Sequence, residues 1–273
     1  MATKYDFINN AFTPSTNASI LISDLSVQRG YGIFDFFKTI NSKPIFLQDH
    51  LERFYNSASK MHLQPGVTPS QLQQILEELI QKNNIPDSGI RITLTGGYSA
   101  DGYTLAETPN LIITQNPITV PVFNTKGISL MTYDYQRQLA EMKTLDYSMA
   151  IWLQPLIKST GNDDVLYHEN GAVRECPRAN FFIVTQENEI VTPGSKILKG
   201  VIRKNILNLE NTGFKITERD FTLQELKNAK EAFITSTTKH ILPVLKIDGN
   251  NVGDGKAGEI SRNLSILLAD KIK

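Results

Sequence analysis

The feature that most constrains this chain is the alternation of strand-like and helix-like runs in its first half. The stretch Tyr31 to Ile40, YGIFDFFKTI, is aromatic and β-branched. Asn41-Ser42-Lys43 offers a turn, and Pro44-Ile45-Phe46 then reads as a returning strand. From Leu47 to His62 the apolar positions Leu51, Phe54, Ala58 and Met61 recur at helical spacing. A second helix is predicted from Ser70 to Lys82, with Ser70 or Thr68 near its start. Ile90–Thr95 and Leu111–Thr114 read as strands. A chain that mixes hairpins with amphipathic helices in this way belongs to the α+β class rather than to a doubly wound parallel sheet.

Pro117, Pro121 and the short run between them read as a connector. The expected division is an N-terminal α/β domain over 1–118, a linker over 119–123 and a C-terminal domain over 124–273. The second half opens with a strand at Ile128–Tyr133, followed by a helix at about Ser148–Ser159. Val165–Glu169, Asn170-Gly171 and Ala172–Arg174 predict a hairpin, because Asn-Gly suits the tight primed turns. Phe181–Val184 and Ile190–Thr192 predict another. Gly200 precedes a helical run, Val201 to Glu210. Ala232–Ser236 and Val244–Ile247 read as strands, and Glu259–Ile272 as a closing amphipathic helix.

Several classes of function are disfavoured. The formal net charge is +0, so there is no general attraction to nucleic acid or to an anionic membrane. No apolar stretch reaches transmembrane length. The N-terminus, MATKYDFINNAF, lacks a secretion signal's apolar run. The single cysteine, Cys176, fits a reducing compartment, and a cytoplasmic protein is expected. The 4 histidines show no metal-ligand spacing, so no metal site is expected. No Gly-x-Gly-x-x-Gly follows a strand, so a Rossmann dinucleotide site is not supported. Propensity and spacing alone single out no catalytic lysine, because most lysines are solvated surface charges. Read in the same way, Glu175 is a hairpin-edge carboxylate and Gly200 a helix-entry glycine.

Segments spread through the chain resemble the class IV, or fold-type IV, pyridoxal-phosphate enzymes. That family includes branched-chain aminotransferase, D-amino-acid aminotransferase and aminodeoxychorismate lyase. The resembling segments are QRGYGIFDFFKTI, HLERFYNSASKM, MKTLDY, GAVRECPRANFF, ILKGVIRKNIL and ITSTTKHILPV, in the family's order and spacing. The resemblance implies a two-domain fold: a smaller N-terminal α/β domain and a larger C-terminal cofactor-binding domain with a barrel-like β core. The cofactor, pyridoxal 5′-phosphate, is expected in the cleft between the domains. A homodimer is expected too, with residues near Tyr98–Tyr103 closing the neighbour's site.

The resemblance also assigns roles. Lys143, opening KTLDY, is expected to carry the cofactor as a Schiff base and then to act as the acid–base group. Glu175 is expected beside the pyridine nitrogen, where a carboxylate keeps the ring electron-accepting. Asn180 is expected to support that loop. Arg53 corresponds to the phosphate-binding arginine, whose guanidinium gives forked hydrogen bonds. KGVIR corresponds to the phosphate-holding helix start, with backbone donors at Val201 and Ile202. Ile202 stands where the family often has threonine. Thr237 is expected on the phosphate or on a substrate carboxylate, with Thr238 helping through its backbone. Tyr147 is weighed between a place beside the cofactor and core packing.

Substrate choice is less legible. The tyrosine–arginine–histidine carboxylate trap of the D-amino-acid enzymes is missing, with Phe34 and Gly96 at two of its places. The branched-chain strand motif, tyrosine-x-arginine, here reads Gly89-Ile90-Arg91. Phe34 and Phe36 would supply apolar surface, and Arg91 the cation. The expected activity is amino transfer between a hydrophobic or branched-chain L-amino acid and a 2-oxo acid. A lyase of the aminodeoxychorismate type is the main alternative. D-amino-acid transfer and a non-catalytic family member are less favoured.

Overall fold

The computed structural model describes residues 3–120, 123–210 and 212–272. The chain divides into two compact units, Met1–Val120 with Met142–Asp146, and Pro121–Glu141 with Tyr147–Lys273. The short segment carrying Lys143 therefore packs with the first unit, although in sequence it lies beyond that unit's last strand. Of the linker expected at 119–123, positions 121 and 122 lie outside the described residues.

The first unit contains β1 (Tyr5–Ile8), β2 (Ala11–Pro14), α1 (Leu25–Arg29), β3 (Gly32–Ile40), β4 (Lys43–Pro44), α2 (Leu47–Lys60), α3 (Pro69–Asn83), β5 (Ser88–Thr95) and β6 (Leu111–Pro117). Its strands form a six-stranded sheet in the order β2-β1-β6-β5-β3-β4. Ile33 and Phe37 of β3 join Ile90, Ile92 and Leu94 of β5 in a core covered by Leu51, Phe54 and Ala58 of α2 and Leu72, Leu76 and Leu79 of α3. Successive side chains alternate faces, so Phe34, Phe36 and Lys38 lie on the side of β3 away from these helices. Helix α3 starts with a capping box: Thr68 accepts from the Gln71 N–H while the Gln71 side chain returns to the Thr68 N–H.

The returning strand expected at Pro44–Phe46 is shorter than the sequence suggests. Phe46 turns into a left-handed conformation, φ 52°, and begins α2 instead. Pro117, expected in a connector, ends β6 opposite Ser88. A strand end tolerates proline because the missing N–H is not needed there.

The second unit contains β7 (Ile128–Asp134), α4 (Ser148–Trp152), α5 (Gln154–Ser159), β8 (Asp164–Glu169), β9 (Ala172–Val173), β10 (Glu175–Cys176), β11 (Ala179–Val184), β12 (Ile190–Thr192), α6 (Val201–Leu207), β13 (Ile216–Glu218), α7 (Leu223–Lys227), β14 (Glu231–Ser236), β15 (His240–Ile247), β16 (Asn250–Asn251) and α8 (Glu259–Ile272). A ten-stranded sheet runs β13-β12-β11-β14-β15-β7-β8-β9, with β10 pairing β11 and β16 pairing β15. Its apolar core gathers Phe181 and Ile183, Ala232 and Ile234, Leu242 and Val244, and Phe221. The Asn170-Gly171 turn joins β8 to β9 with φ of 49° and 85°, the positive pair that a primed turn requires.

The helix expected at Ser148–Ser159 is two helices. Leu153 is wholly buried at the break, and Pro155, within the first two positions of α5, cannot continue the N–H pattern of α4. The helix expected to reach Glu210 stops at Leu207, with Asn208 as its cap.

Candidate active site

In the first unit, the segment around Lys143 pairs with the start of β3, on the edge that β4 occupies only at Thr39 and Ile40. The Phe34 N–H donates to the Lys143 carbonyl at 2.9 Å, and the Leu145 N–H to the Gly32 carbonyl at 3.0 Å. Ile33 and Thr144 form an antiparallel bridge between those bonds. The Lys143 N–H donates to the buried Ser57 hydroxyl of α2 at 3.3 Å. The backbone of the lysine is thus held by both a strand and a helix. Its Nζ stands 4.5 Å from the centre of the Phe34 ring. The Arg91 guanidinium lies over the same ring at 3.8 Å, and Arg91 Nε donates to Thr93 Oγ1 at 3.3 Å. The Lys143 amine and the Arg91 guanidinium therefore both approach the Phe34 ring.

On the helix-covered face of β3, Asp35 sits between Ile33 and Phe37 and is fully buried. Arg53 donates to it twice, Nε to Oδ2 at 2.8 Å and Nη2 to Oδ1 at 2.8 Å. His50 Nδ1 meets the same Oδ1 at 2.7 Å. His50 and Arg53 are one helical turn apart on α2, so both reach the strand. Burial raises the Asp35 carboxyl, but Arg53 and His50 outweigh it and hold the group well below the usual carboxylate range. Burial pushes His50 down. With Nε and Nη2 committed to Asp35, Arg53 offers its Nη1 edge to a further acceptor. On the opposite face Lys38 is fully buried, and burial lowers its amine to about 7.

In the second unit, Glu175 pairs with Asn180 across a tight hairpin. Arg137 Nε and Nη2 donate to Glu175 Oε1 at 3.2 and 3.1 Å. Arg137 also donates to the Ala140 carbonyl, and the Leu198 N–H donates to Glu175 Oε2 at 3.1 Å. Asn180 clamps the next loop, donating to the Leu198 carbonyl at 2.6 Å and accepting from the Gly200 N–H at 3.1 Å. Gly200 caps α6 without any side-chain hydrogen bond to that helix end. The first amides of a helix have no acceptor within it, so the start at Val201 and Ile202 offers donors to an anion. Both of these side chains are buried, which fixes the backbone. Thr237 and Thr238 lie in the turn between β14 and β15, where Ser236 pairs with His240. Thr235, two residues earlier, is the register partner of Asn180, so the threonine turn lies beyond the Asn180 row. Tyr147 is half-buried at the start of α4, without a capping hydrogen bond from its side chain.

The structure thus brings Lys143, Phe34 and Arg91 together, and separately Glu175, Asn180, Val201 and Ile202. Phe36 shares the face of Phe34, while Arg53 lies with Asp35 on the other side of the strand. The sequence reading missed Asp35, His50, Lys38 and Arg137. A charged residue on the apolar face of a strand, followed by His-x-x-Arg on a helix, is the signal for the first two. A lysine in an otherwise apolar strand is the signal for Lys38. Nothing in the spacing announces Arg137. Taken unit by unit, the donor types fit parts of a phosphorylated pyridine aldehyde: an amine and a guanidinium edge in the first unit, and in the second a buried carboxylate and a helix start without a side-chain cap. Among the described residues no group of side chains could hold a metal ion, and no helix is long and apolar enough to cross a membrane.

Residues 32–247 match the amino-transferase class IV family, and the chain belongs to it. It is a pyridoxal-phosphate-dependent enzyme of the aminotransferase kind. A D-alanine aminotransferase of Staphylococcus haemolyticus is 29% identical over 270 residues, covering 94% of each chain. A putative branched-chain-amino-acid aminotransferase of Methanocaldococcus jannaschii is 27% identical over 275 residues, covering 97% of this chain and 95% of its own. Among solved structures, the branched-chain aminotransferase of the thermophilic archaeon Thermoproteus uzoniensis with norvaline superposes with a TM-score of 0.87 at 22% identity, covering 98% of this chain and 96% of its own. That likeness establishes the fold-type IV architecture.

Proposed function

We propose that this enzyme moves an amino group between a hydrophobic amino acid, branched-chain L-amino acids foremost, and a 2-oxo acid, with pyridoxal phosphate carried on Lys143. The observation that carries the proposal is the cluster of Lys143, Phe34 and Arg91. It sets an amine beside an apolar ring and a guanidinium, the surfaces that an amino acid with an apolar side chain needs. The bound cofactor supplies an electron sink for cleavage of the substrate Cα–H bond. The Lys143 amine takes that proton and later returns one. Glu175, held by Arg137 and the Leu198 N–H, is the anion for the pyridine nitrogen. Arg53, Val201, Ile202 and Thr237 are assigned to the phosphate, Tyr147 to the flank of the ring, and Thr238 to the substrate with Phe34, Phe36 and Arg91.

The relatives named for D-alanine transfer favour a second reading, in which the donor is a small D-amino acid. Holoenzyme incubated with 2-oxoglutarate and either L-leucine or D-alanine separates the two. Glutamate formed from L-leucine, of the L configuration, supports the first reading. Turnover of D-alanine alone replaces it with the second. Pyruvate release from aminodeoxychorismate without amino transfer would instead identify a lyase.

We also infer a homodimer in the cytoplasm. The loop after β5 presents Tyr103, 83% exposed, and Tyr98, 40% exposed, and the only cysteine is buried and unpaired. Analytical ultracentrifugation of the holoenzyme at the mass of two chains is the expected result.

A further inference from the structure

The face of the first sheet that carries Phe34 also carries Phe36 and Lys38 from β3 and Gly89 and Arg91 from β5. The register sets Phe36 against Arg91 and Lys38 against Gly89. Phe36 nevertheless does not stay over its direct partner. A Cβ added to Gly89 would collide with Phe36 Cζ and lie 2.8 Å from its Cε2. Ile118 Cγ2 lies 3.2 Å from the same point. The ring thus reaches diagonally across the pair of strands, a span open to aromatic side chains, and lies down on the bare backbone at Gly89.

Gly89 has no left-handed backbone to account for it, since no such conformation occurs at this position. It sits in the middle of regular β5 pairing, between Lys38 on one side and Asn116 on the other. A glycine inside a strand marks a place where something approaches the backbone closely, and here the visitor is Phe36. The arrangement has a second effect. With Phe36 turned toward Gly89, the Arg91 guanidinium is left to stack on Phe34, 3.8 Å from the ring centre. The three side chains follow one another along the face from Lys143: Phe34 under the amine, Arg91 over Phe34, and Phe36 beyond them in the slot at Gly89.

We infer that Phe36 and Gly89 act as one specificity-determining pair, in which the Phe36 ring fills the slot at Gly89 and limits the length of side chain the enzyme accepts. The inference rests on the proposed reading, in which this face meets the substrate. The favoured class is short aliphatic amino acids, up to the size of leucine. Aromatic side chains are excluded because the space they would extend into is already occupied by the ring. The pair is reciprocal: removing the ring opens the slot, and growing a side chain at position 89 refills it.

The test uses holoenzyme of wild type, F36A, the conservative F36L, and F36A/G89F, which returns a ring to the same slot from the other strand. Each is assayed for kcat/KM with alanine, leucine and phenylalanine, in the enantiomer that the wild type accepts, with 2-oxoglutarate as acceptor. Binding of propionate, 4-methylvalerate and 3-phenylpropionate is measured in parallel by calorimetry. F36A should raise the phenylalanine-to-alanine ratio of kcat/KM about tenfold or more and tighten 3-phenylpropionate by a similar factor. F36L should fall between F36A and wild type, and F36A/G89F should return towards wild type. Unchanged ratios and unchanged carboxylate affinities in F36A and F36L overturn the pairing while leaving the transaminase reading in place. A wild-type holoenzyme that transfers no amino group from any donor overturns that reading, and the inference with it.

Discussion

Arg53 and Asp35 are joined by a two-pronged ion pair, Nε to Oδ2 and Nη2 to Oδ1, both at 2.8 Å, across a carboxylate that is wholly buried. The forked geometry fixes the plane of the guanidinium as well as its position. Removing the carboxylate leaves Arg53 and His50 beside an empty, desolvated place. Asp35→Ala should therefore destabilise the enzyme by about 3–5 kcal/mol, the range for breaking one partner of a buried pair. The sign of the pH dependence follows from the depressed Asp35 carboxyl. Its contribution is fully present above the unfolded-state value of about 3.9 and is lost as pH falls through the folded one. Asp35→Asn lacks that contribution at every pH. Urea denaturation at a series of pH values should show wild type more stable at neutrality and the two curves converging in strong acid. Parallel curves would remove Asp35 from this account.

Arg53→Ala asks a different question from Asp35→Ala, because it also removes the Nη1 edge assigned to the phosphate. The expected outcome is weaker retention of pyridoxal phosphate, by about tenfold or more, the scale of a charge-assisted hydrogen bond. At saturating cofactor, kcat should fall much less. Equilibrium dialysis against the cofactor and steady-state kinetics give the two numbers separately. Equal cofactor affinity in variant and wild type would show that Arg53 serves only the fold.

Lys143→Ala should abolish amino transfer and the visible absorbance of the covalently loaded protein. The fold should survive, because alanine keeps the backbone contacts that help seat this segment: the Lys143 carbonyl on the Phe34 N–H and the Lys143 N–H on Ser57. Circular dichroism and Tm report on that survival. Turnover at the wild-type rate in this variant would dismiss the lysine from the chemistry.

The sequence made the strong local patterns legible and left the long-range ones unread. YGIFDFFKTI gave β3 almost to the residue, and Asn170-Gly171 gave the β8–β9 turn, because these signals are written in neighbouring residues. The capping box that starts α7, Thr222 with Glu225, precedes a helix of 5 residues, too short to carry an apolar period. The break between α4 and α5 depends on Leu153 being drawn into a core with Met131, Val165 and Tyr167, a tertiary fact that periodicity does not carry. The same holds for the site. Lys143, Glu175 and Arg53 could be named only through resemblance. Arg137 carries no local signal, since its partner Glu175 lies 38 residues away and only folding shows that the two meet. Asp35 was hidden by its own strand: a carboxylate among aromatic residues reads as an ordinary alternation until His50 and Arg53 are seen above it.

Gly200 gives the most local test of the second unit. Its backbone, φ −69° and ψ 147°, is open to any residue, so glycine is not required by conformation. It is required by Asn180: an added Cβ would collide with the Oδ1 that accepts the Gly200 N–H. Gly200→Ala must push Asn180 aside and loosen its bond to the Leu198 carbonyl, which neighbours the Leu198 N–H that holds Glu175. A loss of about 1–3 kcal/mol is expected from such overpacking, together with weaker cofactor retention as the start of α6 shifts. Asn180→Ala removes the obstacle along with the clamp. Gly200→Ala should therefore cost less in the Asn180→Ala background than in wild type, a coupling that a double-mutant cycle reads directly. Strictly additive losses would mean that the glycine and the asparagine act independently and that the clamp does not position this loop.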